Sequence, residues 1–223
     1  MQAGNAHYRR EADLPATLPL FPLSAALLLP GGRMPLNIFE PRYLQMIDAA
    51  IKGDRLIGMI QPALDGSLRE DGEPELCQVG CLGRITSFAE TGDGRYLMSL
   101  EGVCRFRVSE ELHTRLPFRQ CKYAPFLTDL VDSGAEEIIN RPALLKAFRD
   151  YLQANDLDAD WESVSRAEDA LLVNTLSMMA PYGAAEKQAL LEAPDLKTRA
   201  DTLIAITEMT LVRDNVDFPS GLQ

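Results

Sequence analysis

Two textures of apolar and polar residues meet near residue 130 of the chain. Before that point, short apolar runs are broken by Pro and Gly, as in strands joined by turns. After it, apolar residues recur at intervals of three and four, the spacing of a buried helix face. The clearest strand covers residues 95–108. Tyr96, Met98, Leu100, Cys104, Phe106 and Val108 share one parity there, and Leu97, Ser99, Glu101, Val103, Arg105 and Arg107 the other. This alternation predicts an apolar inner face and a mostly polar outer one. Gly102 stands where an inward side chain would stack, and it predicts a bulge or bend of the kind that closes a small barrel.

Residues 78–88 predict a partner strand, joined to the first through the hairpin loop Glu90-Thr91-Gly92-Asp93-Gly94. Pro41 suits a first helical turn, and Tyr43, Leu44, Met46, Ile47, Ala50 and Ile51 then recur at helical spacing up to Gly53. A strand over 56–60 follows, and the charged stretch 62–74, with Asp65-Gly66 and Asp71-Gly72, predicts an exposed loop.

In the second half, Ile138, Leu144, Leu145, Phe148 and Leu152 form one stripe within residues 135–155, and Pro142 marks where the firm helix begins. Ser165-Arg166-Ala167-Glu168 has capping-box spacing ahead of the apolar run 170–180. Pro181-Tyr182-Gly183 predicts a turn, followed by a short helix over 184–192 that ends before Pro194 and, after Asp195, a last helix running to about Arg213. The expected fold class is α+β. Residues 1–13 read as a flexible tail, 14–130 as a β-barrel subdomain with one helix near 41–52, and 131–223 as a bundle of about four helices.

Composition narrows the function. The 223 residues are 46% hydrophobic and 25% charged, as in ordinary globular proteins. No apolar run reaches the roughly 20 residues that cross a bilayer. Arg9-Arg10 followed by residues 18–30 imitates an export signal, but Pro19, Pro22 and Pro30 interrupt it, so a cytoplasmic protein is expected. The net charge of −11 is uneven: residues 1–128 carry −1 and residues 129–223 carry −10. An acidic half opposes the counterion release that drives phosphate binding, so nucleic acid is a poor first guess as partner.

Cys77 and Cys81 are four apart without a second pair or a nearby histidine, and with Cys104 and Cys121 they read as core thiols; no metal is expected. No phosphate-cradling loop, nucleophile elbow or zinc-protease helix is present, and His7 and His113 are the only histidines. No catalytic residue and no cofactor is therefore assigned. Glu40 and Glu101, near Arg42 and Arg105, are the carboxylates that could do acid–base work, or they are salt-bridged partners of arginines at a barrel rim. Arg105 and Arg107, either side of Phe106, could grip an acidic peptide or phosphate.

Several motifs in order carry a resemblance. Leu18-Pro19-Leu20-Phe21-Pro22-Leu23 is followed by Pro30-Gly31-Gly32-Arg33-Met34-Pro35-Leu36-Asn37-Ile38-Phe39-Glu40-Pro41-Arg42-Tyr43. Val79-Gly80-Cys81-Leu82-Gly83-Arg84-Ile85, Asp93-Gly94-Arg95-Tyr96 and Glu101-Gly102-Val103-Cys104-Arg105-Phe106-Arg107-Val108 come next, and Glu186-Lys187-Gln188-Ala189-Leu190-Leu191-Glu192 with Arg199 last. Over about residues 14–213 the chain resembles the N-terminal, substrate-binding domain of Lon proteases. The resemblance implies a PUA-like β pseudo-barrel followed by a C-terminal helical bundle, and a recognition module without the ATPase and Ser-Lys peptidase modules of full-length Lon proteases.

The expected function is thus a non-catalytic, ATP-independent module that binds other proteins or exposed peptide segments, as an adaptor in proteolysis or quality control. RNA binding, associated with PUA-like barrels in general, is the alternative, and a small-molecule enzyme with a carboxylate pair is a third. The expected binding surface is the cleft between barrel and bundle, or the 30–34 loop with Arg33, Met34, Arg42, Tyr43, Arg105 and Arg107.

Overall fold

A computed structural model describes residues 1–131 and 138–217; the start of the predicted stretch 135–155 and the last six residues lie outside the described residues. The chain is α+β and falls into two compact units, Met1–Gly134 with Pro181–Leu191, and Ala135–Ala180 with Glu192–Gln223. The cut differs from the sequence expectation, because the helix after Pro181 belongs with the sheet.

The first unit holds strands β1 (Gln2–Ala3), β2 (Ala6–His7), β3 (Leu18–Pro22) and β4 (Arg33–Ile38), helix α1 (Pro41–Lys52), then β5 (Leu56–Ile60), β6 (Val79–Glu90), β7 (Tyr96–Leu112) and β8 (Gln120–Pro125). The main sheet runs β4-β7-β6-β5-β3-β8, and β8 pairs again with β7. Five strands thereby close on themselves, while β4 hangs from the first half of β7. All pairings are antiparallel except β3 with β5.

The inside of this closed sheet is filled by Phe106, which is fully buried with Leu18, Leu20, Leu82, Cys104 and Cys121. Two glycines make room for its ring. A Cβ on Gly80 would lie 2.6 Å from the ring and 2.5 Å from the Met59 carbonyl oxygen, and one on Gly58 would lie 2.9 Å from the ring.

Gly102 does sit at an irregularity, but the consequence differs from the sequence expectation. Leu82 pairs with Cys104 and Gly83 with Gly102, so Val103 is an extra residue in β7. One extra residue exchanges the faces. Leu100 therefore lies on the opposite side of the sheet from Cys104 and Phe106, although all three share parity. Both faces are covered here: Val103 and Arg105, expected to point outward, are as buried as their neighbours. The Leu29 carbonyl crosses directly above Gly102, where a Cβ would stand only 2.1 Å from its oxygen.

The first eight residues, expected as a tail, are folded. The β1–β2 hairpin buries Ala3 completely, and the Met1 amino group donates to the carbonyls of Leu130 at 2.7 Å and Tyr8 at 3.1 Å. Edge strand β4 carries Pro35 opposite Ser99. Gly102 N–H donates to the Gly32 carbonyl, and the antiparallel alternation from there turns the nitrogens of Arg33, Pro35 and Asn37 away from β7. Pro35 thus stands where its missing N–H costs the ladder nothing.

Helix α1 starts at Pro41 and ends at Gly53 as expected, burying Tyr43, Met46, Ile47 and Ala50. Two buried amides moor the later helix to the sheet. Gln61 accepts from Ala25 N–H and donates to the Ala184 carbonyl and Gln188, and Gln188 donates to the Val79 carbonyl. A buried amide left unpaired would be costly, and these four bonds satisfy both.

The second unit contains α2 (Arg141–Ala154), α3 (Trp161–Arg166), α4 (Asp169–Met179) and α6 (Leu196–Asp217); α5 (Ala184–Glu192) is the helix moored to the sheet. Helix α6 packs on α2 and α4. Asn140 caps α2 and Asp160 caps α3 through their side chains. The predicted capping box does not form, because Ser165 falls inside α3 and donates to the Glu162 carbonyl, leaving Glu168 to start α4 without a side-chain cap.

Gly102→Ala is expected to destabilise the protein by about 3 kcal/mol, since the new methyl meets backbone rather than a side chain that can turn aside. Gly31→Ala, with open space around it but φ of +76°, is expected to cost about 1 kcal/mol. Urea unfolding of the two variants checks the order.

Candidate functional site

The α1 N-terminus brings Arg42 and Tyr43 to a cleft of about 290 Å³ between β3, the turn joining β7 to β8, and the chain that connects β5 to β6. Its floor is apolar, made by Leu20, Pro22, Tyr43 and Phe118. Tyr43 is fixed edge-on against Phe21 with ring centres 4.5 Å apart, and the Arg42 guanidinium lies 4.7 Å from the Tyr43 ring centre. Burial raises the pKa of the Tyr43 hydroxyl above its ordinary value, with Arg42 opposing the shift.

The rim is charged. Arg119 clasps Glu111 with two bonds of 2.6 Å, and Arg69 reaches the same carboxylate at 2.6 Å. Arg42 pairs with Glu40 at 3.2 Å and Glu73 at 3.2 Å. The stretch 62–74, expected as an exposed loop, is part of a small hairpin over residues 62–76 with bridges Pro62 to Leu76 and Leu68 to Pro74. That hairpin supplies Arg69 and Glu73. Two other concavities are larger and more open: a groove of about 680 Å³ beside Leu14, Pro15, Tyr123 and Leu127, and a depression of about 460 Å³ over Leu36, Phe88 and Leu97. Neither combines a buried aromatic floor with so dense a set of charges.

The predicted site residues are dispersed. Arg42 and Tyr43 line the cleft with Glu40 beside them, while Arg33 and Met34 lie on β4, where Arg33 faces Glu101 at 3.7 Å. Glu101 also accepts from Gly4 N–H at 3.3 Å. Glu40 and Glu101 are thus each partnered by an arginine and belong to different surroundings. Arg107 is exposed on β7.

Arg105 is a correction, because it is not on a surface at all. Its side chain is 5% exposed and pairs with Asp129 at 2.8 Å, donates to the Leu191 carbonyl and lies over the Phe126 ring. It lies on the face of β7 opposite Phe106, and the cover given there by α5 and residues 126–130 buries it. Glu111, Arg119, Arg69 and Glu73 were absent from the sequence expectation, being 31 or more residues from their partners where they cross from the hairpin. The pair Glu111 and Arg119 was within reach of sequence reasoning, as oppositely charged residues across one hairpin turn.

The four cysteines are free thiols, three of them buried. Burial pushes the Cys104 and Cys121 thiols up to about 12, which makes them poor nucleophiles and poor ligands. Among the described residues, no three His, Cys, Asp or Glu side chains gather as a metal site would need, and no helix is long and apolar enough to cross a membrane.

Residues 17–208 match the family model described as the ATP-dependent protease La (LON) substrate-binding domain. The chain belongs to this family. Among curated relatives, this LON substrate-binding domain is 25% identical over 198 residues to Lon protease 2 of Myxococcus xanthus and 26% identical over 194 residues to the Lon protease of Escherichia coli K12. The matches cover 87% and 86% of the chain and 24% of each relative, so the chain spans about a quarter of their length. Two solved structures share the fold: a Lon N-terminal domain protein from Xanthomonas campestris, with TM-score 0.59, 24% identity and coverage of 85% of this chain and 97% of that one, and the N-terminal domain of a Mycobacterium avium complex Lon protease, with TM-score 0.58, 17% identity and coverage of 86% and 98%.

Two expectations follow for the LON substrate-binding domain. Arg105→Ala strands the Asp129 carboxylate in a buried setting and should cost about 3–5 kcal/mol by urea unfolding, far more than breaking an exposed pair such as Lys122 with Glu110. The folded Cys104 and Cys121 thiols hold their protons to about 12, against 9.0 for an ordinary thiol. The folded state then binds more protons than the unfolded one above pH 9, so stability is intact below that pH and falls as pH rises towards 12. Alkaline unfolding curves should show a shallower fall in Cys104→Ala.

Proposed function

We propose that this protein is a non-catalytic module that binds exposed apolar or extended segments of other proteins, as an adaptor in proteolysis or quality control. The observation that supports the reading is the cleft at Tyr43, whose floor of Leu20, Pro22 and Phe118 lies beneath a rim of arginines and carboxylates. Family membership supports it independently, since the matching region is described as substrate-binding. A cleft of about 290 Å³ suits one or two side chains of an extended segment rather than a large cofactor. Charged rims orient such a segment and set its encounter rate, while the floor supplies the apolar contact. The relatives' proteolytic activity is theirs, and nothing in this reading requires it here.

Leu116, 47% exposed at the cleft, is the residue to change. A reduced, unfolded model protein is expected to bind the wild-type chain in a pull-down, and Leu116→Asp is expected to weaken that binding at least ~10-fold, which is about 1.4 kcal/mol, without lowering Tm. Equal capture by both proteins would count against the cleft, and capture by neither against the function.

A further inference from the structure

The hairpin of residues 62–76 is built unlike the rest of the sheet unit. No residue between Pro62 and Gln78 is fully buried, and Leu64 and Leu68 are exposed. Its base is tied by backbone bonds, Cys77 N–H to the Gln61 carbonyl and Ala63 N–H to the Glu75 carbonyl. Its tip is held to the body by polar contacts alone among those described: Arg69 to Glu111, Glu73 to Arg42, and the Pro74 carbonyl accepting from Arg119 at 2.6 Å. The Arg42–Glu73 pair, with both side chains about two-fifths exposed, is of the weak and salt-screened kind, while the partly buried Arg69–Glu111 pair is screened less. An element anchored so belongs to the part of a protein that opens first.

The contacts on the body side are informative. If the tip lifts, Arg119 keeps Glu111 and Arg42 keeps Glu40, because those partners lie outside the hairpin. What is released is one guanidinium nitrogen on each arginine, the Nη1 atoms that now hold the Glu73 carboxylate and the Pro74 carbonyl. Two cationic donors are then presented beside an apolar floor. The complementary ligand carries a carboxylate for Arg42 and, one residue on, a main-chain carbonyl for Arg119.

We propose that Glu73-Pro74 is an internal stand-in for the ligand, occupying the cleft rim until an extended acidic segment of another protein displaces it. This rests on the protein-binding reading above and names the segment that the cleft prefers: an acidic residue followed by proline or another extended residue, with an apolar neighbour for the floor. An internal competitor lowers the apparent affinity by the fraction of time the rim is free, so weakening the competitor must strengthen binding of an outside segment.

The test uses the full chain and a fluorescent peptide with the sequence of residues 70–76, Glu-Asp-Gly-Glu-Pro-Glu-Leu. Polarisation titrations are expected to give at least ~10-fold tighter binding to Glu73→Gln than to wild type. The gain should vanish when Arg42→Gln is added, and with a peptide whose central glutamate is glutamine. Glu73 is half-exposed, so the variant is expected to fold, and amide exchange over residues 62–76 provides a second readout: faster in Glu73→Gln and faster in wild type at high salt. Equal peptide affinity for wild type and Glu73→Gln, or exchange over 62–76 that neither change alters, overturns the proposal. If unfolded protein still binds wild type in that case, the stand-in falls while the binding function survives; if it does not bind, both fall.

Discussion

The architecture depends on one large ring placed where the strands close. Phe106 occupies the interior of the five-strand enclosure, and the strands approach it closely because Gly58 and Gly80 present no side chain to it. Burying such a ring contributes about 1.5–3 kcal/mol, but its position matters as much as its area. With a Cβ on Gly80, the ring and the Met59 carbonyl would both have to move, and β5, β6 and β7 could not keep their spacing. Phe106 meets Tyr123 of β8 edge-on at 5.7 Å, so the same ring also fixes the strand that completes the closure.

The run Gly102-Val103-Cys104-Arg105-Phe106 is an architectural device. Gly102 admits the Leu29 carbonyl, Val103 is the added residue that exchanges faces, Arg105 joins Asp129 under α5, and Phe106 fills the enclosure. A motif of this kind need not touch a ligand to be indispensable. Arginine in such a run invites a reading as a binding group, and here burial decides otherwise. Its effect on the cleft is indirect: it holds β7 in place, and the end of β7 carries Glu111 there.

Much of the sheet unit was legible in the sequence, because its signals are local. Pro41 and Gly53 bracket α1, Asp93-Gly94 marks the turn between β6 and β7, and Gly102 announces its own irregularity. What escaped was the effect of that irregularity, since a parity argument assumes one residue per step and Val103 breaks the count. The folded N-terminal hairpin escaped because its short strands are fixed by remote partners, such as Leu130 for the Met1 amino group and Glu101 for Gly4 N–H. The cleft was half legible. Arg42 and Tyr43 sit beside an obvious helix start, but Arg69, Glu73, Glu111 and Arg119 meet only after the chain has folded.

Pro35 has a meaning beyond its own strand. Among the described residues, a sheet that closes on five strands still leaves β4 with one open side, and such a margin ordinarily invites another chain to zip on and begin a fibre. The ring of Pro35 punctuates that margin with a position that can donate nothing, so a visiting strand would find its row of bonds interrupted at the middle. The domain is thereby a poor template for the stacking of other strands.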